Sequence, residues 1–274
     1  MPFSKPFRQL AGLMLAALVG SVPASVAQQS LSRGAALPTV NPSQLPKEIF
    51  DYSIEWKLIN AGTAKMSFSP LPHSGPSSAT LPAGEIRLHL ESSGLVSKFV
   101  RVSDDYTAML GQNLCGQSTY LSTHEGSRSK ETKVTYDSKA KKASYQEKDL
   151  TKKTTAVHDV EIPPCAYDVL GGLMVLRNLN LEPGKSTTMP VSDGKKTIWA
   201  KVEAQRREEI KTPQGMQKAT VYEVFLFNNQ LYRRQGHLHV WLSDDKRHVP
   251  LQIQIRLQFT IGTITFKLEK EEKS

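Results

Sequence analysis

Residues 50–58 read FDYSIEWKL. Phe50, Tyr52, Ile54, Trp56 and Leu58 alternate with Asp51, Ser53, Glu55 and Lys57. A period of two puts every apolar side chain on one face of a strand and every polar one on the other. Asn60-Ala61-Gly62 then reads as a turn, and Ala64, Met66 and Phe68 resume the alternation, so the two runs form a hairpin. The same signature recurs at Ile86, Leu88 and Leu90, and at Thr132, Val134 and Tyr136, which turn through Asp137-Ser138-Lys139 to Ala143 and Tyr145. Further strands are expected over Ser97–Val102 and Tyr106–Leu110, and a Pro/Ser/Gly loop over residues 69–83.

The carboxyl third continues as a meander. Met189 and Val191 pass through Ser192-Asp193-Gly194 to Ile198, Ala200 and Val202, a strong hairpin signal. Thr212-Pro213-Gln214-Gly215 carries Pro and Gly where a tight turn needs them. Strands over Val221–Phe227 and Leu231–Arg234 follow. Leu238, Val240 and Leu242 alternate, as do Leu251, Ile253, Ile255 and Leu257, across a turn at residues 243–246. Ile264, Phe266 and Leu268 end the pattern. This makes roughly ten to twelve strands with local connections. Without alternating strands and helices, a parallel nucleotide-binding sheet is not expected.

One segment breaks the rule. Val169-Leu170-Gly171-Gly172-Leu173-Met174-Val175-Leu176-Arg177 is apolar nearly all round. Pro163-Pro164 precedes it, Asp168 or Pro164 can start a helix, and Pro183-Gly184 closes the stretch. A helix that is apolar all round must be buried on most sides. The expected fold is mainly β: a single large curved antiparallel sheet or open β-barrel with one main buried helix over about 167–178. Its expected cavity lining is Tyr52, Ile54 and Trp56 from the first strand and Leu173 and Leu176 from the helix. Leu238, Val240 and Leu242, with Ile253 and Ile255, would complete the lining from the late strands.

The chain has 274 residues and 39% hydrophobic content, enough for a packed core. Residues 1–27 have a basic start at Lys5 and Arg8, an apolar run from Leu10 to Val19, and Ser25-Val26-Ala27 before Gln28. That is the pattern of a cleavable signal peptide, and the run is too short to span a bilayer. Residues 28–46 read as a flexible leader, 47–270 as a single β-rich domain and 271–274 as a charged tail. The predicted location is the periplasm. Cleavage would remove two of the 35 basic residues and none of the 26 acidic ones, leaving a net charge of +7. Outside the cytoplasm such a charge suits anionic envelope components, and no nucleic-acid partner or transmembrane segment is expected. Cys115 and Cys165 are an even pair in an oxidising compartment, so a disulfide is the expected state.

Signals for chemistry are sparse. Gly184-Lys185-Ser186 lacks the first glycine of a phosphate-binding loop, since that position is Leu179. His124-Glu125 lacks a second histidine, and there is no G-x-S-x-G elbow. His237 and His239 share one strand face but read as exposed, and Asp104-Asp105 and Asp244-Asp245 fall where Asp serves turns. No catalytic residue, metal or cofactor is therefore assigned.

Tyr52-x-Ile54-x-Trp56 with Asn60-Ala61-Gly62, the Asp168-Val169-Leu170 helix ending in Leu176-Arg177, and Trp241-Leu242-Ser243-Asp244-Asp245 before Val249-Pro250 together resemble one family. It is the set of bacterial exported proteins described as domain of unknown function 3108, and the resemblance runs from about Ile49 to Glu269. It implies a shape similar to the LolA and LolB type of lipoprotein carrier, an unclosed barrel with helix over its mouth. It implies no activity and no catalytic residues. The expected function is a non-enzymatic exported protein that carries or senses a lipid or other amphiphile. The alternative is a structural or assembly factor of the envelope acting through protein contacts.

Overall fold

The computed structural model describes residues 37–71, 81–225, 230–231, 234–257 and 262–273. The expected signal peptide and the first part of the leader lie outside the described residues, as do residues 226–227 and 232–233 of the expected late strands and residues 72–80 of the expected Pro/Ser/Gly loop.

The first half of the described chain is an uninterrupted antiparallel meander. Its strands are β1 (Glu48–Trp56), β2 (Ile59–Pro70), β3 (Gly84–Ser92), β4 (Val102–Leu110), β5 (Gly116–Glu125), β6 (Arg128–Asp137), β7 (Lys142–Asp149) and β8 (Thr154–Glu161). A short helix α1 (Gly94–Phe99) joins β3 to β4, and the longer α2 (Val169–Arg177) follows β8. The second half supplies β9 (Ser186–Ser192), β10 (Thr197–Thr212), β11 (Gly215–Phe225), the two-residue β12 (Gln230–Leu231), β13 (Arg234–Ser243), β14 (Pro250–Leu257) and β15 (Gly262–Lys273). The sheet order is β8-β7-β6-β5-β4-β3-β2-β1-β15-β14-β13-β11-β10-β9, with β12 beside β13. Pairing of β15 with β1 fuses the two meanders into one open sheet whose edges are β8 and β9. Register shifts at Asp51/Tyr52, Ile54/Glu55, Ala204/Arg206, Met109/Leu110 and Trp241/Leu242 bend the strands, as bulges do.

Alternation holds as expected in β1, where burial switches residue by residue from Glu48 to Trp56. Four expectations are corrected. The first turn lies at Lys57-Leu58, not Asn60-Ala61-Gly62, and both residues take positive φ (49° and 68°). Gly62 sits inside β2 because a Cβ there would stand 2.1 Å from the Glu91 carbonyl oxygen. This glycine marks a close approach of two backbones, not a turn. The stretch expected as strand from Ser97 begins as helix α1, because Gly94 at φ +61° redirects the chain and only Val96 needs burial. The expected charged tail continues β15 to Lys273, where Lys273, Glu272 and Glu271 pair with Glu48, Ile49 and Phe50. The end of the expected leader is also ordered by packing: Val40 is buried, Leu37 and Leu45 pack on the core, and Asn41 caps a short turn over Pro42–Gln44. No described helix is long and apolar enough to cross a membrane.

Candidate functional site

Helix α2 lies against the concave face of the sheet, and polar groups fix both of its ends. Asp168 Oδ1 accepts from the Leu170 and Gly171 N–H groups (3.0 and 3.2 Å) and from the Tyr106 hydroxyl (2.9 Å). It thereby satisfies amide donors that a helix start leaves open. Burial raises the Asp168 pKa, and these three donors oppose the rise. At the other end the buried Arg177 guanidinium donates to Glu48 twice (2.7 and 3.1 Å) and to the His248 and Arg247 carbonyls (3.0 and 3.1 Å). Its central carbon lies 5.2 Å from the centre of the Phe50 ring. Charges this deep persist only when paired and fully hydrogen-bonded.

The approach to the helix is stapled too. Cys115 and Cys165 form a disulfide with Cα atoms 5.1 Å apart, and the Gly116 N–H donates to the Ala166 carbonyl (2.8 Å). Tyr167 then exchanges backbone bonds with β9 through Pro190 and Ser192. The β9–β10 turn crosses the gap between the sheet edges. There Tyr136 donates to the Ser192 carbonyl (2.9 Å), Lys195 lies 4.5 Å from the centre of the Tyr145 ring, and Thr197 donates to the Glu161 carbonyl (2.9 Å).

The ten residues expected to line a cavity all lie in or against one core cluster, but not with equal cover. Tyr52, Ile54, Leu176, Val240 and Leu242 are buried packing residues, and Trp56 is buried nearly as well. Tyr52 donates to the Pro250 carbonyl (2.9 Å) and meets Phe266 edge-on. Leu173, Leu238, Ile253 and Ile255 are only partly covered. The register places Trp56, Ile264, Ile255 and Leu238 in one row across β1, β15, β14 and β13. Cover thins along that row, from Ile264 fully buried to Ile255 and Leu238 half-covered. On α2 the half-covered pair is Val169 and Leu173, one turn apart on the same face.

Further along the same inner surface the lining turns polar. Asp104 shares the inward phase of Tyr106 and Ala108 and is buried. Its Oδ1 accepts from the His124 N–H (3.0 Å), while Oδ2 has no partner among the described residues. Burial, reinforced by the charges of Glu125 and Asp105, pushes its pKa up to about 7. Glu125 is likewise raised to about 7 by burial, against the pull of Arg128 and Lys130. Glu147 goes the other way. Burial works to raise it, but hydrogen bonds from Lys130 (2.8 Å) and Tyr145 (2.7 Å) and the nearby Lys195 hold it at about 2. The concave face thus has an apolar part and a charged part.

The other candidate groups have ordinary work. Asp104 and Asp105 point to opposite faces, and Asp105 meets His89 on the outside (2.8 Å). Asp244 bonds Thr220 and pairs with Arg207, and Asp245 holds the turn through Ser243 and the Arg247 N–H. His237 and His239 stack with centroids 6.1 Å apart beside Glu223, and no group of three metal-binding side chains is found among the described residues. Sequence reasoning misses Glu48, Asp104 and Arg177 as buried polar groups. For the two acids the readable signal is a charge in the apolar phase of the alternation.

The family model for proteins of unknown function DUF3108 matches residues 51–269. Among solved structures the chain is similar to a β-barrel-like protein of domain of unknown function DUF1849 from Brucella abortus. That match has 8% identity and a TM-score of 0.52, and covers 84% of this chain and 98% of that one. It shows the fold alone. Weaker likenesses are to a protein described as exported, with a YmcC-like fold, from Bacteroides fragilis (10% identity, TM-score 0.33, covering 86% and 99%) and to a protein described as a lipoprotein from Parabacteroides distasonis (11% identity, TM-score 0.32, covering 84% and 96%). No curated protein matches the chain.

Proposed function

Because the chain belongs to the DUF3108 family of proteins of unknown function, its role has to be read from its own geometry, and we propose that it binds an amphiphile in the concavity of its open sheet. The observation that carries this reading is the inner row that ends half-covered at Ile255 and Leu238, with Ile253 beside it and Leu173 on the helix. Apolar side chains on an inner face gain by being covered, and an acyl chain supplies that cover. The charged inner surface at Asp104, Glu125, Lys130 and Glu147 offers groups for a polar head. The periplasm is the proposed location, supported by the disulfide and by the signal-peptide pattern of residues 1–27.

Native mass spectrometry with palmitate tests the reading. The protein should carry one bound chain, and Leu238→Asp with Ile255→Asp should weaken binding by at least about tenfold, since each substitution removes ~1.5 kcal/mol or more of apolar contact. Absence of binding, or equal binding by the double variant, would sink it. A second reading, an envelope assembly factor, draws support from β8, an edge strand whose side chains are exposed over Thr154–Asp159.

A further inference from the structure

We propose that the end of the barrel formed by the β1–β2 turn and α1 is a docking surface for an anionic lipid bilayer. Four large apolar side chains protrude there into solvent. Leu58 is 91% exposed, Phe99 66%, Leu95 57% and Ile59 47%. They are held together by structure: the Ser93 N–H donates to the Ala61 carbonyl (3.0 Å), the Ser93 hydroxyl donates to Asn60 Oδ1 (3.0 Å), and α1 packs along β2. The next turn joins them, since the Gly126 N–H donates to the Arg101 carbonyl (2.8 Å).

Burial in the core does not account for Leu58, Leu95 or Ile59. Lys57 and Leu58 both adopt positive φ, a conformation that favours Gly or Asn and gives leucine no packing in return. Of the six residues of α1 only Val96 is buried. The apolar groups stand on a turn and a single helical turn, so they project as short knobs. Such knobs enter the soft boundary of a bilayer more readily than they complement a second rigid surface. The charge agrees with that occupant. Segments 57–60 and 93–101 contain Lys57, Lys98 and Arg101, all exposed, and no acidic residue. Lysines and arginines beside inserted apolar side chains are the pattern that anionic headgroups attract. Trp56, the first residue of the inner row, immediately precedes the turn, so the docking surface adjoins that row. The proposal deepens the amphiphile reading but stands on a different surface.

Co-sedimentation of the exported protein with vesicles of phosphatidylcholine and phosphatidylglycerol tests it. The protein should bind, high salt should weaken binding, and Leu58→Asp with Phe99→Asp should reduce it at least tenfold. Palmitate binding by that variant should be unchanged, which separates failure of docking from failure of the interior site. Binding that the variant retains in full, or no binding to anionic vesicles by the unsubstituted protein, would overturn the proposal. So would a self-associated species, seen by sedimentation velocity and abolished by the same substitutions, in the absence of vesicle binding. A circular-dichroism melt of the variant guards against misfolding, and Leu58→Ala with Phe99→Ala serves as the milder pair, expected to bind vesicles several-fold less well.

Discussion

Gly171 and Gly172 are neighbours in α2 but face different walls. A Cβ on Gly171 would stand 2.7 Å from Asp168 Oδ2 and 3.2 Å from Leu110 Cδ2, whereas one on Gly172 would meet Met189 and Val191 at ordinary distances of 3.6 and 3.8 Å. Gly171→Ala should therefore destabilise the protein by about 1–3 kcal/mol. Gly172→Ala should be neutral or stabilise it by up to ~1 kcal/mol, because alanine favours helix. Urea titration reads both, and equal effects would show that the wall against Gly171 is not tight. Asp104 gives a pH signature. Its carboxyl, raised from 3.8 to about 7 on folding, takes up a proton as the chain folds between those values. Its contribution to stability is fully present below pH 4 and is lost as pH rises through 7. Asp104→Asn should flatten the dependence of Tm on pH over that window and raise Tm at pH 8. An unchanged profile would mean the carboxyl is ionised throughout. Residue by residue, alternation alone makes Phe50 to Trp56 legible as a buried face. Asp104 and Glu48 carry only a weak signal, a charge in the core phase of the alternation, which is ordinarily read as the end of a strand.

Elements carry different amounts of signal. The meander of β13, β14 and β15 is readable because apolar residues recur at every second position in the sequence, at Leu238, Val240 and Leu242, at Leu251, Ile253 and Ile255, and at Ile264, Phe266 and Leu268. β8 is invisible for the opposite reason: its side chains are almost all exposed, so nothing alternates. β5 is blurred by Thr and Ser, which suit either face. Helix α2 is legible as buried, but its pinning is not, since Arg177 meets Glu48 only after the chain has closed β15 onto β1 and brought Arg247 and His248 alongside. Arg177→Met should cost about 3–5 kcal/mol by leaving Glu48 buried and unpaired. Adding Glu48→Gln should recover part of that loss. A chemical-denaturation cycle measures both, and additive losses would mean the two side chains do not interact.

At the scale of the molecule, two meanders share one seam and form a single sheet with a concave face, closed at the back by α2 and across the edges by the β9–β10 turn. The open barrel is legible in the sequence because long one-faced strands with local connections have few other ways to hide their apolar sides. How far the interior is filled is not legible, because filling depends on bulge positions and on the seating of one helix. The row from Trp56 to Leu238 decides it: sealed at one end, half-covered at the other. Trp56 reports on that row directly, since Trp199 is exposed and Trp241 bonds Glu208 in a separate network. In a variant carrying Trp199→Phe and Trp241→Phe, a fatty acid brominated along its chain should quench Trp56 emission saturably at micromolar concentrations, and unbrominated palmitate should reverse the quenching. Saturable binding that leaves Trp56 emission untouched, or no binding at all, would contradict an acyl chain in the concavity.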